Sequence, residues 1–233
     1  MTLKIEGVVF DLDATLVNLG GFVDWKKAHR MAEEVYLSCG CPEEMVRQFG
    51  KRGLFNMLNL MRDENALTMT GPEVERTQRR VYEVIEICEV EGIGKCHLMP
   101  GCTTALEWLN AHRIRMGVAT SNSQRVAEQI LLSKGVERFF CAVVGRRPSL
   151  RMKPHSDQIL RCFEEMGVRR DMGVVVGDSL QDVQAAKLAG ISVIAVPSFF
   201  TDRDSLLESV VEMIINDLSE LPEILSNLDP RLR

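Results

Sequence analysis

From Pro100 onward, short apolar runs alternate with segments of helical spacing, and this alternation limits the fold more than any other feature of the chain. Residues 103–112 read as helix, 114–119 as a buried strand and 123–133 as helix. A strand at 139–144, a helix at 155–166 and a strand at 172–176 follow. A helix at 180–189, closed by Gly190, leads to a strand at 191–196, and 212–215 with 218–228 add one more unit at the edge. Repeated βαβ units build a parallel sheet with helices on both faces, an α/β fold. The apolar run 5–11 belongs to the same sheet, although a long interval separates it from Pro100.

That interval differs in kind. Residues 22–38, 42–62 and 72–91 carry apolar side chains at helical spacing, for example Trp25, Ala28, Met31, Ala32 and Val35, with no strand pattern between them. Gly40-Cys41-Pro42, Gly71-Pro72 and Gly92-Ile93-Gly94 interrupt the runs. An all-helical block just past the first strand reads as a small second domain, joined by crossings at 16–21 and 97–101. Gly20, Gly21 and Gly101 at those crossings would permit hinge motion.

Composition narrows the partners. A net charge of −5 leaves no basic footprint for nucleic acid. The basic pairs, Arg146-Arg147 among them, alternate with acidic residues and read as solvated faces. No apolar stretch reaches the roughly 20 residues needed to cross a bilayer, so no membrane partner is expected. Met1-Thr2-Leu3-Lys4 lacks the apolar core of a secretion signal. Seven scattered cysteines form an odd set, which reads as free thiols in a reducing cytoplasm. The oligomeric state is left open by the chain.

The chemistry lies at the strand ends. Asp11-Leu12-Asp13-Ala14-Thr15 closes the first strand, and nothing about packing requires two carboxylates there. Thr120-Ser121-Asn122 follows the second, Lys153-Pro154 opens a helix after the third, and Gly177-Asp178-Ser179-Leu180-Gln181-Asp182 follows the fourth. In open parallel sheets, ligands bind beyond the carboxyl ends of the strands. Each motif also has a plain structural reading. Ser179-x-x-Asp182 matches a helix capping box, Thr120 or Ser121 could cap the following helix, and Lys153-Pro154 could be a surface turn. Their recurrence at successive strand ends of one sheet favours the joint reading.

If they converge, Asp11, Asp13, Asp178 and Asp182 crowd negative charge into one pocket. Two unit charges ~4 Å apart repel by roughly 4 kcal/mol at an effective dielectric near 20. Such a cluster needs a cation or takes up protons. An all-oxygen donor set suits magnesium, which binds through a few carboxylates plus substrate phosphate. Lys153, Thr120 and nearby N–H groups would hold phosphate oxygens. A carboxylate beside a metal can attack phosphorus and form an aspartyl-phosphate, while a second carboxyl moves the proton. Asp11 is the natural nucleophile and Asp13 the acid/base, although spacing alone allows the reverse.

In these four ordered motifs the chain resembles the haloacid-dehalogenase-like superfamily of phosphatases and phosphomutases. The resemblance implies a Rossmann-like catalytic core over 1–16 and 98–233 and a small α-helical cap domain over 17–97. It implies that Asp11 is the nucleophile and a magnesium ligand, and that Asp13 is the acid/base and offers its backbone carbonyl to the metal. Asp178 would be a ligand, and Asp182 a ligand or its support. Thr120, Lys153, Ser121 and Asn122 would bind phosphate or substrate. Ala14 stands where many relatives have glycine. The presence of Asp13 argues against carbon–halogen chemistry, because the family's dehalogenases lack that second aspartate.

The expected activity is magnesium-dependent hydrolysis of a small phosphorylated metabolite of the phosphoglycolate or sugar phosphate type. The alternative is a phosphomutase similar to β-phosphoglucomutase. Such mutases typically carry a histidine in the linker past the nucleophile, and residues 18–27 contain none, which favours hydrolysis. Arg52, in the turn Lys51-Arg52-Gly53, stands where the mutase branch places a substrate-binding cap arginine; a solvated basic turn is the competing reading.

Overall fold

In the computed structural model, which describes residues 4–209, 211 and 213–232, six parallel strands form one sheet. They are β1 (Gly7–Phe10), β2 (Arg115–Ser123), β3 (Phe140–Arg146), β4 (Gly173–Gly177), β5 (Ser192–Ala195) and β6 (Met213–Ile214). Their order is β3-β2-β1-β4-β5-β6, so the first strand is central, as its apolar sequence requires. Val8, Val9 and Phe10 are fully buried, each worth about 1.5–3 kcal/mol of hydrophobic stabilisation. The order reverses at β1, where β2 lies on one side and β4 on the other. That is the switch point at which a ligand crevice opens in sheets of this class.

Helices α5 (Cys102–Ala111), α6 (Gln124–Ser133), α7 (Asp157–Met166), α8 (Leu180–Ala189), α9 (Arg203–Glu208) and α10 (Leu221–Leu228) complete the sheet layer. Buried side chains on the sheet's faces form two apolar clusters, one around Val8 and Phe10 and one around Val9 and Val175. Sequence periodicity places the strands within a few residues. It misses the short α9, and position 212 of the expected edge strand lies outside the described residues, as do residues 1–3.

Between β1 and α5 stand α1 (Trp25–Ser38), α2 (Glu43–Gly50), α3 (Leu54–Thr68) and α4 (Gly71–Gly92). The helical run 42–62 divides into α2 and α3 at residues 51–53, where the sequence places the turn Lys51-Arg52-Gly53. Ala28, Ala32 and Tyr36 form the buried stripe of α1, and the Tyr36 hydroxyl donates to Gln78 Oε1 at 2.7 Å. The two crossings run side by side. Asn18 N donates to the His97 carbonyl at 3.1 Å, and Met99 N donates to that of Leu16 at 2.9 Å. This paired ribbon carries the helical block above the C-terminal ends of β1 and β2.

Candidate active site

β1 and β4 are in register from Gly7 opposite Gly173 to Phe10 opposite Val176, and Asp11 N donates to the Val176 carbonyl at 2.8 Å. Asp11 and Asp178 therefore leave neighbouring strands at the same level. Asp182 arrives from the first turn of α8. Carboxylate oxygens of Asp11, Asp178 and Asp182 lie within 4.8 Å of one another, and all three residues are buried. Lys153 Nζ is paired with Asp11 Oδ1 and, at 2.5 Å, with Asp182 Oδ1.

Asp182 both caps its helix and reaches the carboxylate group. Its Oδ2 accepts from Ser179 N at 3.0 Å, closing the capping box of α8, while Oδ1 faces Lys153. Gly177 makes this possible, since a Cβ there would lie 2.5 Å from Asp182 Cγ. Gly177→Ala is thus expected to lower stability by about 1–3 kcal/mol through overpacking. A urea unfolding curve checks this; an unchanged midpoint would contradict the close approach.

Asp13 stands apart from the three-carboxylate group. Its Oδ1 accepts from Gly20 N at 2.7 Å, and a Cβ on Gly20 would lie 2.6 Å from Asp13 Oδ2 and collide with the Phe200 ring. Gly20, at the first crossing, has a local task in fixing Asp13. Ala14, buried beside it, has φ 65°, a left-handed conformation that glycine takes more readily.

The second motif is held from the helical block. Thr120 Oγ1 donates to Asn122 Oδ1 at 3.0 Å, and Asn122 Nδ2 donates to Glu89 Oε1 at 3.1 Å. Ser123 N donates to Glu89 Oε2 at 3.2 Å, and Ser123, rather than Thr120 or Ser121, caps α6. Glu89 forms a two-pronged ion pair with Arg146, at 3.1 and 2.9 Å, with both side chains fully buried. Arg146 also donates to the Ser121 carbonyl at 2.8 Å and lies over the Tyr82 ring. The expected solvated face at Arg146 is therefore a buried connection between α4 and β3. From α3, Asn59 Nδ2 donates to the Lys153 carbonyl at 3.1 Å.

These groups surround a cavity of about 330 Å³. Asp11, Asp13, Lys153, Asp178 and Asp182 line it, as do Thr120, Ser121 and Asn122. Arg52 does not. It is exposed in the turn at 51–53, and α3 begins directly after it, so Leu54 and Phe55 form the wall there. Trp25, Phe55 and Phe200 are wall residues that periodicity reads as core or loop.

Protonation follows burial. Burial raises the Asp11 carboxyl to about 7 against the pull of Lys153, with Asp182 adding to the rise. Burial, then the neighbouring Asp11 and Asp182, raises Asp178 to about 8. Asp13 is raised to about 6 by burial, opposed by the Gly20 N–H. Burial alone would lower the Lys153 ammonium, but Asp11 and Asp182 hold it above its usual range. Asp11 and Asp178 resist ionisation, and together with the buried Asp182 beside them they form an oxygen donor set suited to a hard divalent cation.

The model of the haloacid dehalogenase-like hydrolase family matches residues 8–196. A phosphoglycolate phosphatase of Chromobacterium violaceum is 28% identical over 97% of this chain and 100% of its own length. CbbY of Rhodobacter sphaeroides, solved with xylulose 1,5-bisphosphate, shares the fold with a TM-score of 0.62 at 21% identity, over 94% of this chain and 96% of that one. A β-phosphoglucomutase candidate of Thermotoga maritima has a TM-score of 0.62 at 26% identity, over 96% and 99%.

Proposed function

The chain belongs to the haloacid dehalogenase-like hydrolase family, and on that premise we propose that it is a magnesium-dependent phosphatase of small phosphorylated metabolites, of the phosphoglycolate or sugar phosphate type. The observation that carries this reading is the convergence of Asp11, Asp178 and Asp182 around Lys153 at the sheet's switch point. In it, residues 17–97 act as the cap of a core formed by 1–16 and 98–233. Neither residues 18–27 nor the described lining includes a histidine, which favours hydrolysis over mutase chemistry. Free cysteines accord with a reducing cytoplasm. Among the described residues, no helix is long and apolar enough to cross a membrane.

Asp11, Asp178 and Asp182 are the side chains that would hold magnesium, with the backbone carbonyl of Asp13 as a further donor. When bound, the ion neutralises charge on the phosphoryl oxygens. A carboxylate oxygen of Asp11 forms a bond to phosphorus as the bond to the leaving oxygen breaks. Asp13 gives its proton to that oxygen; with its carboxyl raised to about 6, an appreciable share is protonated near neutrality. In the second half, Asp13 takes a proton from water, the water oxygen bonds to phosphorus, and the Asp11 carboxylate is released with inorganic phosphate. Lys153 and Thr120 orient the phosphoryl group. Phosphate release from a panel of phosphomonoesters with magnesium tests this; no turnover of any member would defeat it.

Stability carries a second test. Asp11, Asp13 and Asp178 have folded-state values above the roughly 3.9 of an unfolded aspartate. Between pH ~4 and each folded value the native chain holds protons that the unfolded chain has released, so metal-free stability falls as pH rises, by up to about 1.4 kcal/mol per pH unit for each proton. Above about pH 8 that loss is complete. Magnesium replaces the protons, so the rise in melting temperature on adding it is expected to grow from pH 5 to pH 8. A rise that is constant or shrinks with pH contradicts the site.

A further inference from the structure

The cavity wall divides by polarity. Its floor holds four carboxyl groups and the Lys153 amine, and among the described residues these are the only charged ones that line it. Trp25, Leu54 and Phe55 from the helical block line it too, with Phe200 from the loop after β5 beside Asp13, and Ser179 and Gln181 are further uncharged polar groups of the wall. The Trp25 and Phe55 rings meet edge to face at 5.4 Å, and Trp25 Nε1 is occupied by the Gly20 carbonyl at 3.1 Å. Phe200 is 56% exposed yet its loop is fixed, because Ser198 Oγ donates to Asp178 Oδ2 at 2.6 Å and accepts from Phe200 N at 3.0 Å.

Nearby cations are engaged elsewhere. Arg146 is spent on Glu89, Arg62 donates to the carbonyls of Pro148 and Leu150, and Arg52 is exposed outside the cavity. A phosphate bound on the floor meets Lys153, but a second anion on the leaving group would lose its water against aromatic carbon with no further cation in the lining, beside an excess of carboxylates. Burying an unpaired charge in that way is strongly unfavourable. An uncharged leaving group with a flat apolar face instead gains contact area on Trp25 and Phe55. A cavity of about 330 Å³ is in the range that holds a small ligand, here a phosphate with a single-ring group.

We infer that this phosphatase site selects monophosphate esters whose leaving group is uncharged and apolar-faced, and that Trp25, Phe55 and Phe200 exclude substrates bearing a second anionic group. The inference rests on the phosphatase reading and narrows its substrate class to the sugar phosphate side, away from phosphoglycolate, whose leaving group carries a carboxylate.

The test separates the two. In a Trp108→Phe protein, Trp25 is the sole tryptophan, and its fluorescence reports binding of phenylphosphonate and of 3-phosphonobenzoate, which differ by one carboxylate, with magnesium present. Phenylphosphonate is expected to bind at least about tenfold more tightly. Phe55→Arg, which places a cation on the wall, is expected to reverse that order, and Phe55→Leu to preserve it. Equal or tighter binding of the carboxylate compound to the Trp108→Phe protein overturns the inference. Phosphate release from phenyl phosphate and acetyl phosphate is measured alongside. Selective binding without release sinks the phosphatase reading and leaves the pocket's selectivity standing; release with inverted selectivity sinks the selectivity alone.

Discussion

Asp11→Asn is expected to lower kcat for phosphate release by about 10³-fold or more, the scale seen when a covalent nucleophile is removed. An amide is a poor nucleophile, and it also withdraws a charge from the group around Lys153. Folding should survive. Burial raises the Asp11 carboxyl, so the carboxylate is a strained tenant of its site, and a neutral side chain of the same shape relieves some of that cost. The expected result is therefore an inactive protein with an unfolding midpoint equal to or above that of wild type. Retained turnover would assign the attack on phosphorus to another group.

The second large effect lies away from the reacting atoms. Removing one member of a fully buried ion pair strands the other, at a cost of about 3–5 kcal/mol. Glu89→Ala would leave Arg146 without its counter-charge and would take the acceptor from Asn122 Nδ2 and the Ser123 N–H. Denaturant unfolding should show that loss. Turnover should fall as well, since Asn122 holds Thr120 through its side chain. The double variant Glu89→Leu/Arg146→Met is expected to be more stable than either single change, because paired apolar residues leave no buried charge. A loss below about 1 kcal/mol for Glu89→Ala would mean that water reaches the pair.

The strands and their charged ends were legible for one physical reason: a buried parallel strand has no use for a carboxylate except at its tip. Asp11, Asp178 and the helix-start position of Asp182 therefore stood out against their apolar neighbours. Lys153 and Thr120 gained meaning only from their place in the same series. Glu89 carried a signal that went unread. It falls in the stripe of Val81, Tyr82, Ile85 and Cys88 on α4, all buried, where an acid demands a partner. Arg146, next to Arg147 at a strand end, resembles a solvated pair, and only the sheet's packing reveals its burial. Trp25 and Phe55 satisfy helical periodicity as core residues do, because spacing reports that a face is covered without telling protein from ligand. Arg52 does not line the cavity: it is exposed in the turn directly before α3, as its solvated-turn reading expects.

Trapping the covalent species tests the central claim most directly. Wild-type protein mixed with a turned-over phosphomonoester and magnesium, quenched in acid and digested, should yield the peptide containing Asp11 with the added mass of one phosphoryl group. The modification should be absent from Asp11→Asn. Rapid phosphate release with no modified Asp11, or with the phosphoryl group on Asp13 or Asp178, would contradict the account.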